Sequence, residues 1–134
     1  MLTARPQPLA SPIMRRASWA TSCLSKRLHR ARVRSACALE LDAEGGLFIR
    51  AHEDRIERVV GHLVQNGFDA MDGSGSVHVS SRLVDRFIVL DVEDQGKGMT
   101  QEFIREELFK PFRSTKSTGM GIGAYESQQY VQEI

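Results

Sequence analysis

Acidic residues are missing from the first 39 positions of this chain, and cysteine is nearly missing from all of it. Two cysteines, Cys23 and Cys37, are too few for a disulfide framework or a four-ligand zinc site. A reducing, cytoplasmic setting is therefore the expectation. No apolar run approaches the ~20 residues that cross a bilayer. Aromatics are sparse, and no repeat of collagen or coiled-coil type is present. These absences exclude a secreted mini-protein, a fibre and a membrane span. At 134 residues, 41% hydrophobic and 26% charged, the chain has the size and make-up of one soluble domain.

The net charge of +1 hides an asymmetry. Residues 1–39 hold eight Lys/Arg and no acid, whereas residues 40–134 hold the other ten basic residues and all 17 acids. A basic arm ahead of an acidic body suits a linker, a targeting peptide or a nucleic-acid tail. No aromatic is interleaved beyond Trp19, which disfavours nucleic acid. Residues 1–31 read as a basic, disordered leader or linker, with Pro6, Pro8 and Pro12 breaking any period. An Arg-, Ser- and Ala-rich, acid-free stretch also has the character of a mitochondrial transit peptide.

From residue 32 the patterning becomes regular. Ala38 to Asp42 alternates apolar and polar residues, breaks at Gly45-Gly46 and resumes over Leu47 to Arg50, which predicts a short hairpin. Ile56, Val59, Val60, Leu63, Val64 and Met71 recur at helical spacing from about Glu53 to Met71. Gly67 inside that helix costs ~1 kcal/mol against alanine, so another contact must hold it. Ser76–Ser80 and Phe87–Val92 read as strands, the second the more buried. A short helix over Gln101–Leu108, a polar stretch to Thr118, and a last helix from Ala124 to Ile134 complete an α+β order with helices on one sheet face.

Four groups of residues carry possible chemistry. His62 and Asn66 share one face of the long helix, with Asp69 near the same stripe; alone, this is what a solvent-facing surface looks like. Asp94-Gln95-Gly96-Lys97-Gly98-Met99 follows a strand and, by itself, is an ordinary turn. Leu108-Phe109-Lys110-Pro111-Phe112 sets two aromatics around a proline, a pattern more often core than site. Thr118-Gly119-Met120-Gly121-Ile122-Gly123 precedes a helix, where backbone N–H groups and helix dipole can meet an anion. It is neither a Walker A loop nor a Rossmann turn.

Taken in order, the four groups resemble the ATP-binding domain of sensor histidine kinases, within the superfamily that also holds Hsp90, DNA gyrase B and MutL. The tail Gly119 to Glu126 looks most like kinases of bacterial exosortase/PEP-CTERM systems. The resemblance covers about Ala36 to Ile134 and implies a two-layer α/β sandwich of the Bergerat (GHKL) type, with a mixed sheet covered by helices. It further implies ATP and Mg2+ as ligands. Asn66 would hold the metal and Asp94 would receive the adenine amine. Asp69, Gly96, Gly98, Met99 and Phe109 would belong to the nucleotide pocket. Gly119, Met120, Gly121 and Ile122 would meet the phosphates, with Lys116 reaching the terminal one. His62 stands where ATPases of the superfamily carry a water-activating glutamate.

The partners implied are a histidine-bearing dimerisation domain and a response regulator. None of His29, His52, His62 and His78 has the phosphoacceptor context, so the acceptor is expected on another segment. Relatives continue through two further strands after the glycine box, so the domain at 32–134 looks partial, with an exposed sheet edge. Two alternatives stay open: a non-catalytic nucleotide-binding remnant, and a protein-serine kinase of the anti-sigma type.

Overall fold

The computed structural model describes residues 2–4, 37–71, 73–112 and 121–134, the first three as backbone. In chain order the elements are β1 (Leu2–Ala4), β2 (Ala38–Ala43), α1 (Glu53–Ala70), β3 (Ser76–Val84), β4 (Phe87–Asp94), α2 (Gln101–Glu106) and α3 (Gly123–Glu133). The strands form one mixed sheet in the order β1-β4-β3-β2. β3 and β4 are an antiparallel hairpin in which Val84 pairs with Phe87, and Asp85 turns the chain with a φ of 55°. β2 lies parallel to β3, Leu39 opposite Val77 and Leu41 opposite Val79. A parallel neighbour needs a long crossover, and α1 is that crossover. The fold is the expected α+β layering of helices on one face of a mixed sheet.

Alternation decides which side chains face the helices. Val77 and Val79 of β3 point into the core beside Leu39, Leu90 and Val92, and meet Val60, Val64 and Phe68 of α1. Cys37 and Met71 close the same cluster. Burying each such aliphatic or aromatic side chain contributes roughly 1.5–3 kcal/mol, so this row is the main support of the domain. The opposite face carries Glu40, Asp42, His78, Arg82, Asp91 and Glu93, with Arg82 ion-paired to Asp91 across the hairpin. Among the described residues no helix is long and apolar enough to cross a membrane.

Several expectations change. The predicted hairpin over residues 38–50 is absent. Gly46 turns the chain at a φ of 79°, and residues 47–50 pair with no strand. Leu47 and Ile49 are half-buried, so the alternation is real, but it marks an extended segment that packs without joining the sheet. β3 and β4 are buried to a similar degree: β3 carries the deepest side chains, Val77 and Val79, but its last three residues are exposed. Leu2–Ala4, placed in the irregular leader by the sequence, pair antiparallel with Ile88–Leu90 and cover part of the β4 edge. Of the leader read over residues 1–31, only Leu2–Ala4 are among the described residues.

Gly67 shows what offsets its poor helix propensity. A Cβ there would stand 3.0 Å from Val77 Cγ2 and 3.2 Å from Asp94 Cβ, so the glycine lets α1 sink onto β3 and β4. Leucine is the better helix former by about 1 kcal/mol, yet Gly67→Leu should destabilise the domain by about 1–3 kcal/mol through overpacking. Denaturant unfolding in which Gly67→Leu raised the midpoint would show that this approach is not tight.

Candidate nucleotide site

The helix α1 is the spine on which the separate sequence groups meet. Its first turn bears Glu53 and Asp54, which favour the positive end of the helix dipole. Its last turn lies under the loop that follows β4. There the Lys97 N–H donates to the Ala70 carbonyl at 3.3 Å. Gly96 admits no side chain, since a Cβ would fall 2.6 Å from the same carbonyl oxygen and 2.6 Å from Ala70 Cβ. The Gly96 N–H donates to Asp94 Oδ1 at 2.8 Å, an Asx-type turn that holds one carboxylate oxygen and leaves the other as an acceptor.

Asn66, beside Gly67, is exposed one residue from the point where α1 touches Asp94. Asp69 lies a turn further on, exposed, and accepts from Gln65 Nε2 at 2.7 Å. His62 is half-buried, and α3 begins directly on it. A Cβ on Gly123 would stand 3.2 Å from His62 Nδ1. Gly121 turns the chain into that helix at a φ of 68°, and Ile122 is its N-terminal cap residue. Asn66, Asp94, Gly96, His62, Gly121 and Ile122 are thus gathered around α1 although they span 61 positions of sequence.

Other expected members stand apart or lie out of view. Gly98 has a φ of 69°, and Met99 beside it is 54% exposed. Phe109 and Phe112 are exposed, at 39% and 78%, so the aromatic pair is not core. They follow α2, whose start is capped by Thr100 Oγ1 accepting from the Phe103 N–H at 3.2 Å. Lys116, Gly119 and Met120 lie outside the described residues.

Residues with no role expected from the sequence also build the site. Gln95 Oε1 accepts from the Ser76 N–H at 3.2 Å and ties the Asp94 loop to the start of β3. At the far end of α1, Tyr130 of α3 takes the His52 N–H on its hydroxyl at 2.8 Å. Arg55 stacks 3.8 Å over the Tyr130 ring and pairs with Glu133 at 2.9 Å. α3 therefore runs antiparallel to α1 and is fastened at both ends, by Gly123 on His62 and by Tyr130 on His52. In the sequence, only the helical amphipathicity of residues 124–134 hints at these contacts.

Residues 51–134 match the family described as histidine kinase-, DNA gyrase B-, and HSP90-like ATPases. Sporulation kinase C of Bacillus subtilis is 36% identical over 78 residues, covering 58% of this chain and 18% of that protein. The C4-dicarboxylate transport sensor protein DctB of Rhizobium meliloti is 34% identical over 99 residues, covering 72% of this chain and 16% of that protein. The chain thus spans under a fifth of either relative's length. Among solved structures, the mycobacterial sensor histidine kinase MprB superimposes with a TM-score of 0.74 at 23% identity, over 84% of this chain and 75% of that one. The catalytic domain of histidine kinase ThkA gives 0.73 at 22% identity, over 86% and 75%. The two-layer arrangement is the same in both, and the chain belongs to the histidine kinase-, DNA gyrase B-, and HSP90-like ATPase family.

Proposed function

We propose that this chain is the ATP-binding, catalytic part of a sensor histidine kinase, supplying the phosphoryl group to a histidine on a dimerisation domain outside it. The observation that carries the reading is the meeting of Asp94 and Gly96 with the C-terminal half of α1, at contacts that exclude even a Cβ. An exposed carboxylate with one oxygen held by Gly96 suits the exocyclic amine of adenine as donor. Gly96 leaves backbone bare against which a flat base can lie. The similarity to sporulation kinase C and DctB supports the same reading.

Asn66 presents a carboxamide near this pocket, and Gly121–Gly123 at the start of α3 present backbone N–H groups and the positive end of a helix dipole. A single carboxamide oxygen fits magnesium, which takes few protein ligands and keeps phosphate and water. Bound there, the ion would neutralise phosphate charge. The protein's own share is to hold the nucleotide in line with the acceptor and to exclude water. Phosphoryl transfer draws on positioning and electrostatics more than on covalent chemistry. His62 contributes a polar side chain with no carboxylate where hydrolysing relatives carry a glutamate, which spares the bound ATP from water. A response regulator would take the phosphoryl group in turn.

Calorimetric titration of Mg-ATP tests this directly. Saturable binding is expected, weakened roughly tenfold or more by Asp94→Asn through loss of a charge-assisted hydrogen bond, and weakened by Asn66→Ala only when magnesium is present. Gly96→Ala should abolish binding, since its Cβ collides with Ala70. A folded chain that releases no heat refutes the reading; binding without acid-labile phosphate on any acceptor histidine makes it a nucleotide sensor instead. His62→Glu should raise the slow release of inorganic phosphate from ATP. An unchanged rate removes the role given to His62.

A further inference from the structure

The two edges of the sheet are joined by the chain itself. β1 is antiparallel to β4, β4 is antiparallel to β3, and β2 is parallel to β3. β1 and β2 therefore point the same way from opposite edges of the order β1-β4-β3-β2. Residues 5–37 connect these two parallel strands across three strand spacings, roughly 14 Å. A parallel crossover takes a dozen or more residues, and this length is ample.

The connection has to pass over one face of the sheet, and two constraints select which. α1 lies on β3 and β4, and α3 touches α1 and β1, so the helix-bearing face is occupied over those three strands. Crossovers between parallel strands are right-handed in about 98% of cases. On the helix-bearing face, α1 carries the chain from β2 towards the β1 edge. Residues 5–37 carry it the opposite way, from the β1 edge to β2. Two right-handed crossovers that run in opposite directions lie on opposite faces, which leaves the helix-free face for residues 5–37.

That face has the charge to receive them. Glu40, Asp42 and Glu93 are exposed on it and make no ion pair among the described residues. Residues 5–37 hold eight Lys/Arg and no acid. Val89 lies on the same face as Arg82, its cross-strand partner, and is 2% exposed although no described helix covers it. Val84, nearer the hairpin tip on that face, is 40% exposed. We infer that the helix-free face is the docking surface for this chain's own basic segment, residues 5–37, which crosses it over Val89 towards β2. Its guanidinium groups pair with the carboxylates of Glu40, Asp42 and Glu93, and its apolar side chains rest on Val89.

The test uses the full chain, 15N-labelled, with a nitroxide on Cys23; the other cysteine, Cys37, is 3% exposed and shielded from the reagent. Amides of residues 78–82 and 89–93 should broaden more strongly than those of α1 and α3. The broadening should weaken roughly twofold or more in 1 M salt, and likewise in Glu40→Lys/Asp42→Lys, since screening or charge reversal removes the attraction. Both positions are exposed on the edge strand, so the variant keeps the fold. Stronger broadening in α1 and α3 places the segment on the other face. Broadening of an unlabelled 15N chain by a spin-labelled second chain makes the occupant another copy. Either result, an absence of broadening, or indifference to charge reversal overturns the inference.

Discussion

Everything in this domain depends on how closely α1 lies on the hairpin β3–β4. At Gly67 the helix backbone comes within a Cβ's reach of Val77 and Asp94. That approach seats Val60, Val64 and Phe68 against Val77 and Val79, a buried row at the centre of the core. It also sets the candidate site, because Asp94 sits at the end of β4 and Asn66 beside the glycine. A core contact and a site contact are here the same contact. The price of a glycine inside an 18-residue helix is offset by the packing it permits.

The loop after β4 obeys a second constraint of the same kind. Gly96 lies so near the Ala70 carbonyl that only hydrogen fits between them, and its N–H orients the Asp94 carboxylate. Gln95 pins the loop to the start of β3 from the other side. A short polar turn of this composition would be mobile if free. Clamped to a helix end and a strand start, it holds its carboxylate in one place, which is what selective hydrogen bonding to a ligand needs.

α3 is the less secure partner. It touches α1 at His62 and again around Tyr130, whose hydroxyl answers the His52 N–H at the start of α1. Its own start is the glycine segment, and two positions along its length, Ser127 and Glu126, keep polar groups without partners among the described residues. Edge pairing is similarly partial on the sheet, where among the described residues β1 covers Ile88–Leu90 of β4.

Read alone, the sequence determined the long amphipathic helix, the two central strands, both later helices and the order of four motifs, because each is written in local periodicity or in adjacent residues. That order was specific enough for the family, and residues 51–134 match it. What tertiary structure alone decided is which segments pair. The alternation over residues 38–50 is the same for a hairpin as for a lone strand, and the sheet takes in only β2, parallel to β3. Tyr130 is an unremarkable letter in the chain, and the sequence marks Gly67 and Gly96 without saying what they touch. Their importance comes from what lies within 3 Å or so of them, and such distances are properties of segments brought together from far apart in sequence.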